Sequence, residues 1–207
     1  MKCILLHGLG QTPSDWNATI QHMGNTLDVI CPPLYDWLPE TEPDYASLYQ
    51  GLTRYCEQFS EPFVLGGLSL GGILALQYAA EHESRISALI LMGTQFAMPK
   101  KLLIIQNMIL RILPGAAFKT MPLSRQSMIR LCHSMMDLNF SQALGNIRCK
   151  TLVLCGERDK ANLSSSLQLK ARITGAEFVL LSRAGHEVNK DAPGELGQVI
   201  RSFCEGA

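Results

Sequence analysis

The sequence predicts an α/β fold: a mostly parallel, open sheet with helices on both faces, plus a small helical lid. Three observations lead there. Short apolar runs alternate with stretches of helical period along most of the chain. The apolar runs are nearly unbroken, as expected of strands buried on both faces. One region, 96–146, breaks the alternation and reads as helical throughout.

In order, Cys3-Ile4-Leu5-Leu6 is the first buried strand, followed by the loop His7-Gly8-Leu9-Gly10-Gln11. Ser14 or Asp15 can cap a helix running to about Met23, with Trp16 and Ile20 on one face. Leu27 to Cys31 is the second strand, stopped by Pro32-Pro33, and Leu34 to Pro43 is irregular. Asp44 opens a helix to about Phe59, and Pro62 resets the chain for a strand over Phe63-Val64-Leu65-Gly66. An Ala/Leu-rich helix starts just after Gly72. Ile86 to Met92, Thr151 to Cys155 and Glu177 to Leu181 are further strands. A helix from about Leu163 to Arg172 separates the last two, and Pro193 starts a closing helix.

The 207 residues form a single domain, with 96–146 as an insertion. Within it, residues 102–113 leave a narrow polar strip that includes Asn107 and Arg111. Six of the nine methionines (98, 108, 121, 128, 135 and 136) fall in this insertion. Methionine is unbranched and polarizable, and adapts to irregular apolar surfaces. An insertion at this point lies over the strand ends, so the reading is a lid lined with soft side chains, with Met98, Met108 and Met135 as substrate-binding candidates. Plain core filling is the alternative.

Hydrophobic residues make up 47% and charged residues 17%, which suits extensive two-sided burial. Lys+Arg and Asp+Glu each number 18, so no net field favours nucleic acid or an anionic membrane. The N-terminal apolar run is too short for a signal-peptide core, and no run reaches the length of a membrane span. Seven cysteines without metal-type C-x-x-C spacing predict buried, reduced thiols. The expectation is a soluble, cytoplasmic protein.

One stretch carries the chemistry. Gly67-Leu68-Ser69-Leu70-Gly71 has the G-x-S-x-G pattern between a strand and a helix. A serine on so sharp a turn occupies strained backbone, and its flanking residues must approach closely, hence glycine at both. The turn raises the hydroxyl above the strand end, at a helix N-terminus that favours negative charge. A serine hydroxyl needs a base, and the base needs an orienting group. His186, in Gly185-His186-Glu187 after the last strand, is the base candidate. His22 and His82 belong to polar helical stretches, His133 to the lid, and His7 to the loop after the first strand. Asp159 is the orienting candidate, with Glu157 as rival; Asp137 and Asp191 close no strand. The span between 159 and 186 accommodates one helix and one strand, returning the chain to the same sheet edge. The backbone N–H groups of Leu9 and Leu70 are the candidate oxyanion donors.

Taken together, His7-Gly8-Leu9-Gly10, Gly67-Leu68-Ser69-Leu70-Gly71-Gly72, Gly156-Glu157-Arg158-Asp159 and Gly185-His186-Glu187 make the chain resemble the α/β-hydrolases along almost its full length. The resemblance implies Ser69 as nucleophile, His186 as base and Asp159 as acid, with no cofactor and no metal. It also implies an N-terminally shortened sheet, because the chain begins at what resembles the family's third strand. Many relatives carry P-D-x-x-G-x-G-x-S after the next strand; here the stretch is Cys31-Pro32-Pro33-Leu34-Tyr35-Asp36-Trp37, so a different pocket wall is expected. The leading expectation is a serine hydrolase of a small ester or thioester with an apolar acyl group. Carbon–carbon bond hydrolysis, or a lyase of the menaquinone-pathway type, would use the same three groups. A non-catalytic ligand receptor is a further alternative, from a different functional class. Haloalkane dehalogenases and epoxide hydrolases need a carboxylate where Ser69 stands.

Overall fold

Strands β1 (Lys2–Leu6), β2 (Asp28–Ile30), β3 (Phe63–Leu68), β4 (Ile86–Met92), β5 (Lys150–Gly156) and β6 (Glu177–Leu181) form one sheet in the order β2-β1-β3-β4-β5-β6. Every pairing in it is parallel. The computed structural model describes residues 1–100, 108, 112, 114–118 and 121–205. Between the strands run α1 (Asn17–Met23), α2 (Tyr45–Glu57), α3 (Leu70–Glu81), α4 (Arg125–Ser134) and α5 (Lys160–Arg172), and α6 (Val188–Asp191) and α7 (Pro193–Glu205) follow the last strand.

The central strands β1, β3, β4 and β5 are almost wholly apolar because each alternates between two buried faces, whereas the edge strands β2 and β6 are partly exposed. Ile4, Leu6, Phe63, Leu65, Leu89, Leu91 and Val153 pack in one core with Leu48 and Leu52 of α2 and Leu74 of α3. Cys3, Leu5, Val64, Ile90, Met92 and Leu154 pack in the other, with Trp16, Met23, Leu196, Ile200 and Phe203. Helices α1 and α7 meet at Gly197, where a Cβ would stand 2.6 Å from the Thr19 carbonyl oxygen. All seven cysteines are free and five are buried. Among the described residues, no helix is long and apolar enough to cross a membrane.

Element boundaries differ from the sequence expectation in instructive places. A 3-10 turn, Pro13–Trp16, precedes α1, and it is Thr12 that enters it, its N–H donating to Asp15 Oδ2 (2.7 Å). Asp44 caps α2 as expected, accepting from the Ser47 N–H at 2.8 Å. Helix α5 begins at Lys160, directly after Asp159, and α3 begins at Leu70, directly after Ser69. Both helices therefore start at a residue of chemical interest. The apolar helix expected over residues 102–113 lies outside the described residues, apart from Met108 and Ile112, which are 61% and 80% exposed. The described stretches on either side of it are tied together by paired backbone bonds, Met98 N–H to the Leu138 carbonyl (3.0 Å) and Phe140 N–H to the Phe96 carbonyl (2.7 Å).

The topology indicates where a site belongs. From β1 the chain passes to β2 on one side, then returns to β3 on the other. The crevice between the carboxyl ends of β1 and β3 is thus the switch point of the sheet. The loop of Leu9 leaves β1 there, and Ser69 follows β3.

Candidate active site

Ser69 has φ 53° and ψ −110°, a conformation that side chains rarely adopt. It persists because its surroundings allow little else. The Ser69 N–H donates to the Met92 carbonyl at 2.9 Å, and its own carbonyl accepts from the Ile73 N–H at 2.9 Å. A Cβ on Gly67 would lie 2.2 Å from the Gly71 carbonyl carbon, one on Gly71 2.3 Å from the Leu6 carbonyl oxygen, and one on Gly72 2.1 Å from Thr94 Oγ1. Each glycine of the motif is therefore required by a neighbour, and two of those neighbours are backbone.

His186 follows β6 on a loop bolted to the end of β5. The Arg158 N–H donates to the Ala184 carbonyl (2.8 Å) and the Glu157 N–H to the Leu181 carbonyl (2.9 Å). A Cβ on Gly156 would stand only 2.1 Å from the Gly185 carbonyl oxygen. This contact brings His186 Nδ1 within 2.7 Å of Asp159 Oδ2. With Nδ1–H donating to the carboxylate, Nε2 is left as the acceptor. The Asp159 side chain is 4% exposed and that of His186 41%. Asp159 occupies the N-cap position of α5 without capping it, because both carboxylate oxygens are engaged elsewhere. The Asn162 amide Nδ2 donates to them at 2.8 and 2.9 Å and stands 3.1 Å from His186 Nδ1. Gln95 in turn donates to Asn162 Oδ1 at 2.8 Å. Burial pushes the Asp159 carboxyl up, but the hydrogen bond and charge of His186, together with Asn162, outweigh it and hold the group below the ordinary carboxylate range.

The rival carboxylates are occupied elsewhere. Glu157 accepts from the Arg183 N–H (2.7 Å), Asp191 from the Gly185 N–H (2.7 Å), and Asp137 pairs with Lys100 on the surface (2.6 Å).

Ser69, Asp159 and His186 open onto one cavity of about 280 Å³. Leu9, Leu70, Ile73, Met98 and Met135 form most of its apolar wall, and Gln95 and Asn162 are the polar exceptions. Met98 and Met135 line this cavity, whereas Met108 is exposed and is not among its lining residues. Ser69 and His186 also border a second cavity of about 270 Å³, on the side of Gln11 and Glu187. The Ser69 hydroxyl makes no hydrogen bond among the described residues, so the structure brings it into one cavity with His186 without joining the two. Among the described residues, no group of three or more His, Cys, Asp or Glu is placed to hold a metal ion.

The loop after β1 is tied down more tightly than its sequence suggests. His7 is fully buried, with Nδ1 3.0 Å from the Gly8 carbonyl oxygen and Nε2 accepting from the Leu34 N–H at 3.3 Å. Tyr35 Oη donates to the same Gly8 carbonyl (3.1 Å) and accepts from the Gly10 N–H (2.8 Å). Gln11 Nε2 donates to Glu187 Oε1 (2.8 Å) and Asn189 Oδ1 (3.2 Å), joining this loop to the one that bears His186. The sequence signalled none of Tyr35, Asn162, Gln11 or Asn189. Tyr35 alone left a trace, in the departure of residues 31–37 from the common loop pattern.

Comparison with known proteins follows the same lines. The monoacylglycerol lipase abhd6-B of Xenopus laevis is 23% identical over 255 residues, spanning 97% of this chain and 74% of that one. Among solved structures, a thermophilic esterase from Thermogutta terrifontis superposes with a TM-score of 0.84 at 21% identity, over 100% of this chain and 90% of the other. MenH from S. aureus does so with a TM-score of 0.83 at 19% identity, over 100% and 94%. A sequence model described as the alpha/beta hydrolase family matches residues 3–199, nearly the whole length, and the chain belongs to that family.

Proposed function

We propose that the protein is a serine hydrolase that cleaves a small carboxylic ester or thioester with an apolar acyl group, through an acyl-enzyme on Ser69. The observation that carries this is the 2.7 Å bond from His186 to Asp159 at the rim of the cavity into which the strained Ser69 projects. As His186 Nε2 takes the Ser69 proton, Oγ forms a bond to the acyl carbon and the carbonyl oxygen becomes an oxyanion. The N–H groups of Leu9 and Leu70 stabilise that charge. Collapse breaks the bond to the leaving group, which takes the proton from His186, and a water repeats the sequence to release the acid. Asp159 holds the imidazole in the required tautomer and offsets its transient positive charge. An apo hydroxyl that is not yet hydrogen-bonded to its base is compatible with this, since such contacts tighten when substrate binds.

The apolar wall supports the acyl preference, and residues 96–146 serve as the lid insertion, contributing Met98, Cys132 and Met135 to that wall. Seven free cysteines support a reducing compartment, the cytoplasm. The relative named as a monoacylglycerol lipase supports ester cleavage over carbon–carbon bond cleavage or simple ligand reception.

A fluorophosphonate probe tests the reading. Stoichiometric labelling of the wild-type protein at Ser69 is expected, with Ser69→Ala losing both labelling and p-nitrophenyl ester turnover, kcat falling on the order of 10³-fold or more. Labelling at another serine, with Ser69→Ala still active, would overturn it.

A further inference from the structure

We propose that Tyr35 is a positioning residue that aims the Leu9 N–H at the reacting oxygen by clamping both peptide groups flanking Leu9. The inference rests on the serine hydrolase reading and adds to it a residue outside the three reacting groups.

A trans peptide is planar, so its C=O and N–H point in opposite directions. The Leu9 N–H shares its peptide with the Gly8 carbonyl. That carbonyl accepts from Tyr35 Oη at 3.1 Å and from the Gln11 N–H at 3.2 Å, with His7 Nδ1 at 3.0 Å. Three donors fix it on the side of His7 and Tyr35, and the Leu9 N–H must then face the other way. Leu9 itself borders both cavities that contain Ser69. The next peptide, which carries the Leu9 carbonyl, is held through the Gly10 N–H, and its acceptor is again Tyr35 Oη at 2.8 Å. One hydroxyl therefore donates to one peptide and accepts from the next. Gly10 has φ +81°, so few steric terms would hold this peptide in place without the bond.

Tyr35 is itself well held. Its ring meets the His7 imidazole edge-on, with centroids 4.9 Å apart. It sits in the turn Leu34–Trp37, immediately after Pro32-Pro33. Burial pushes its phenol well above the ordinary value, so the hydroxyl keeps the proton it donates. A loop with two glycines cannot aim a backbone donor by itself, and this brace supplies the missing rigidity.

The test is Tyr35→Phe, which removes one oxygen and leaves the ring packing. Removing an oxyanion donor outright costs about 10²–10³ in kcat, so misaiming one should cost roughly ten- to hundredfold. KM should stay within about twofold, because the interaction operates in the transition state. Affinity for a trifluoromethyl ketone, which forms a tetrahedral adduct on serine, should fall in parallel with kcat. Independently of turnover, amide hydrogen exchange over residues 8–11 should quicken in Tyr35→Phe while the rest of the molecule is unchanged. Unaltered kcat and ketone affinity, a rise in KM alone, or loss of the folded protein in Tyr35→Phe would overturn the proposal. Labelling of the wild-type protein at Ser69 tests the serine hydrolase reading separately. If that labelling failed, the exchange measurement would still decide whether Tyr35 clamps the loop.

Discussion

The floor and the wall of the cavity are built on opposite principles. The floor consists of the ends of β1, β3 and β4, where backbone meets backbone and a single added methyl at Gly67 or Gly71 would intrude to 2.2 or 2.3 Å. The wall contributed by residues 96–146 includes Met98, Cys132 and Met135, side chains that yield. On the serine hydrolase reading, a floor that admits one arrangement would set the reaction, and a wall that admits several would set the range of substrates. Substitutions on the two surfaces should therefore fail in different ways.

The largest effect is expected at Gly71→Ala. Its methyl would meet the Leu6 carbonyl, not a mobile side chain, so β1 and the start of α3 must part. A destabilisation of about 3 kcal/mol or more is expected, lowering Tm by roughly 6–12 °C and abolishing ester turnover. Thermal unfolding decides it, and an unchanged Tm would mean that the floor yields after all. Met135→Leu on the wall is the control, expected to cost less than about 1.5 kcal/mol.

Next comes the acid. Asp159→Asn should reduce kcat by about 10²–10⁴-fold, since a neutral partner favours the wrong imidazole tautomer. Glu157→Gln should be mild, because Glu157 serves the Arg183 backbone and not His186. Steady-state kinetics of the two variants would reverse the assignment if the order were reversed.

The wall is tested by its substrates. Each methylene buried contributes up to about 0.8 kcal/mol, so lengthening the acyl chain from two to six carbons should raise kcat/KM by roughly a hundredfold. Met135→Ala should flatten that series without altering turnover of the acetyl ester. A flat wild-type series would make the apolar lining structural only.

The smallest effect concerns His7, beneath the floor. Burial lowers its pKa, opposed by the Gly8 carbonyl and the nearby Asp15, and protonation would cost it the bond from Leu34. A histidine with a depressed folded-state pKa contributes its full stability above the unfolded value of about 6.5. It loses that contribution as pH falls from there toward the folded value. Chemical denaturation between pH 7 and 5 should show this acid slope, shallower in His7→Gln. Equal slopes would mean that His7 protonates as easily folded as unfolded.

The same contrast explains what was legible in the sequence. Gly67, Gly71 and Ser69 are read directly because the tight turn imposes a local pattern of residue types. The central strands are read because burial on both faces leaves continuous apolar runs. Asn162 and Tyr35 were not legible: an asparagine in the first turn of a helix and a tyrosine after two prolines have ordinary local explanations. Their partners lie 24 and 27 residues away, and no periodicity records such a distance. Asp159 lay between these cases. Its position after a strand marks it as the orienting candidate, and its bond to His186 shows how the carboxylate is used.

The tie between Gln11 and Asn189 bears on how the protein is made. These residues are 178 positions apart, yet their amides are joined in both directions at 3.2 Å. A ribosome adding about 5–20 residues per second completes that span in roughly ten to forty seconds. Ser69 precedes His186 by 117 positions, so for roughly six to twenty-three seconds of that time Ser69 and its glycines exist on a nascent chain without His186. On the serine hydrolase reading, cleavage competence is therefore withheld until the chain has emerged as far as α6, and a product truncated before residue 186 would carry the serine without the proposed base.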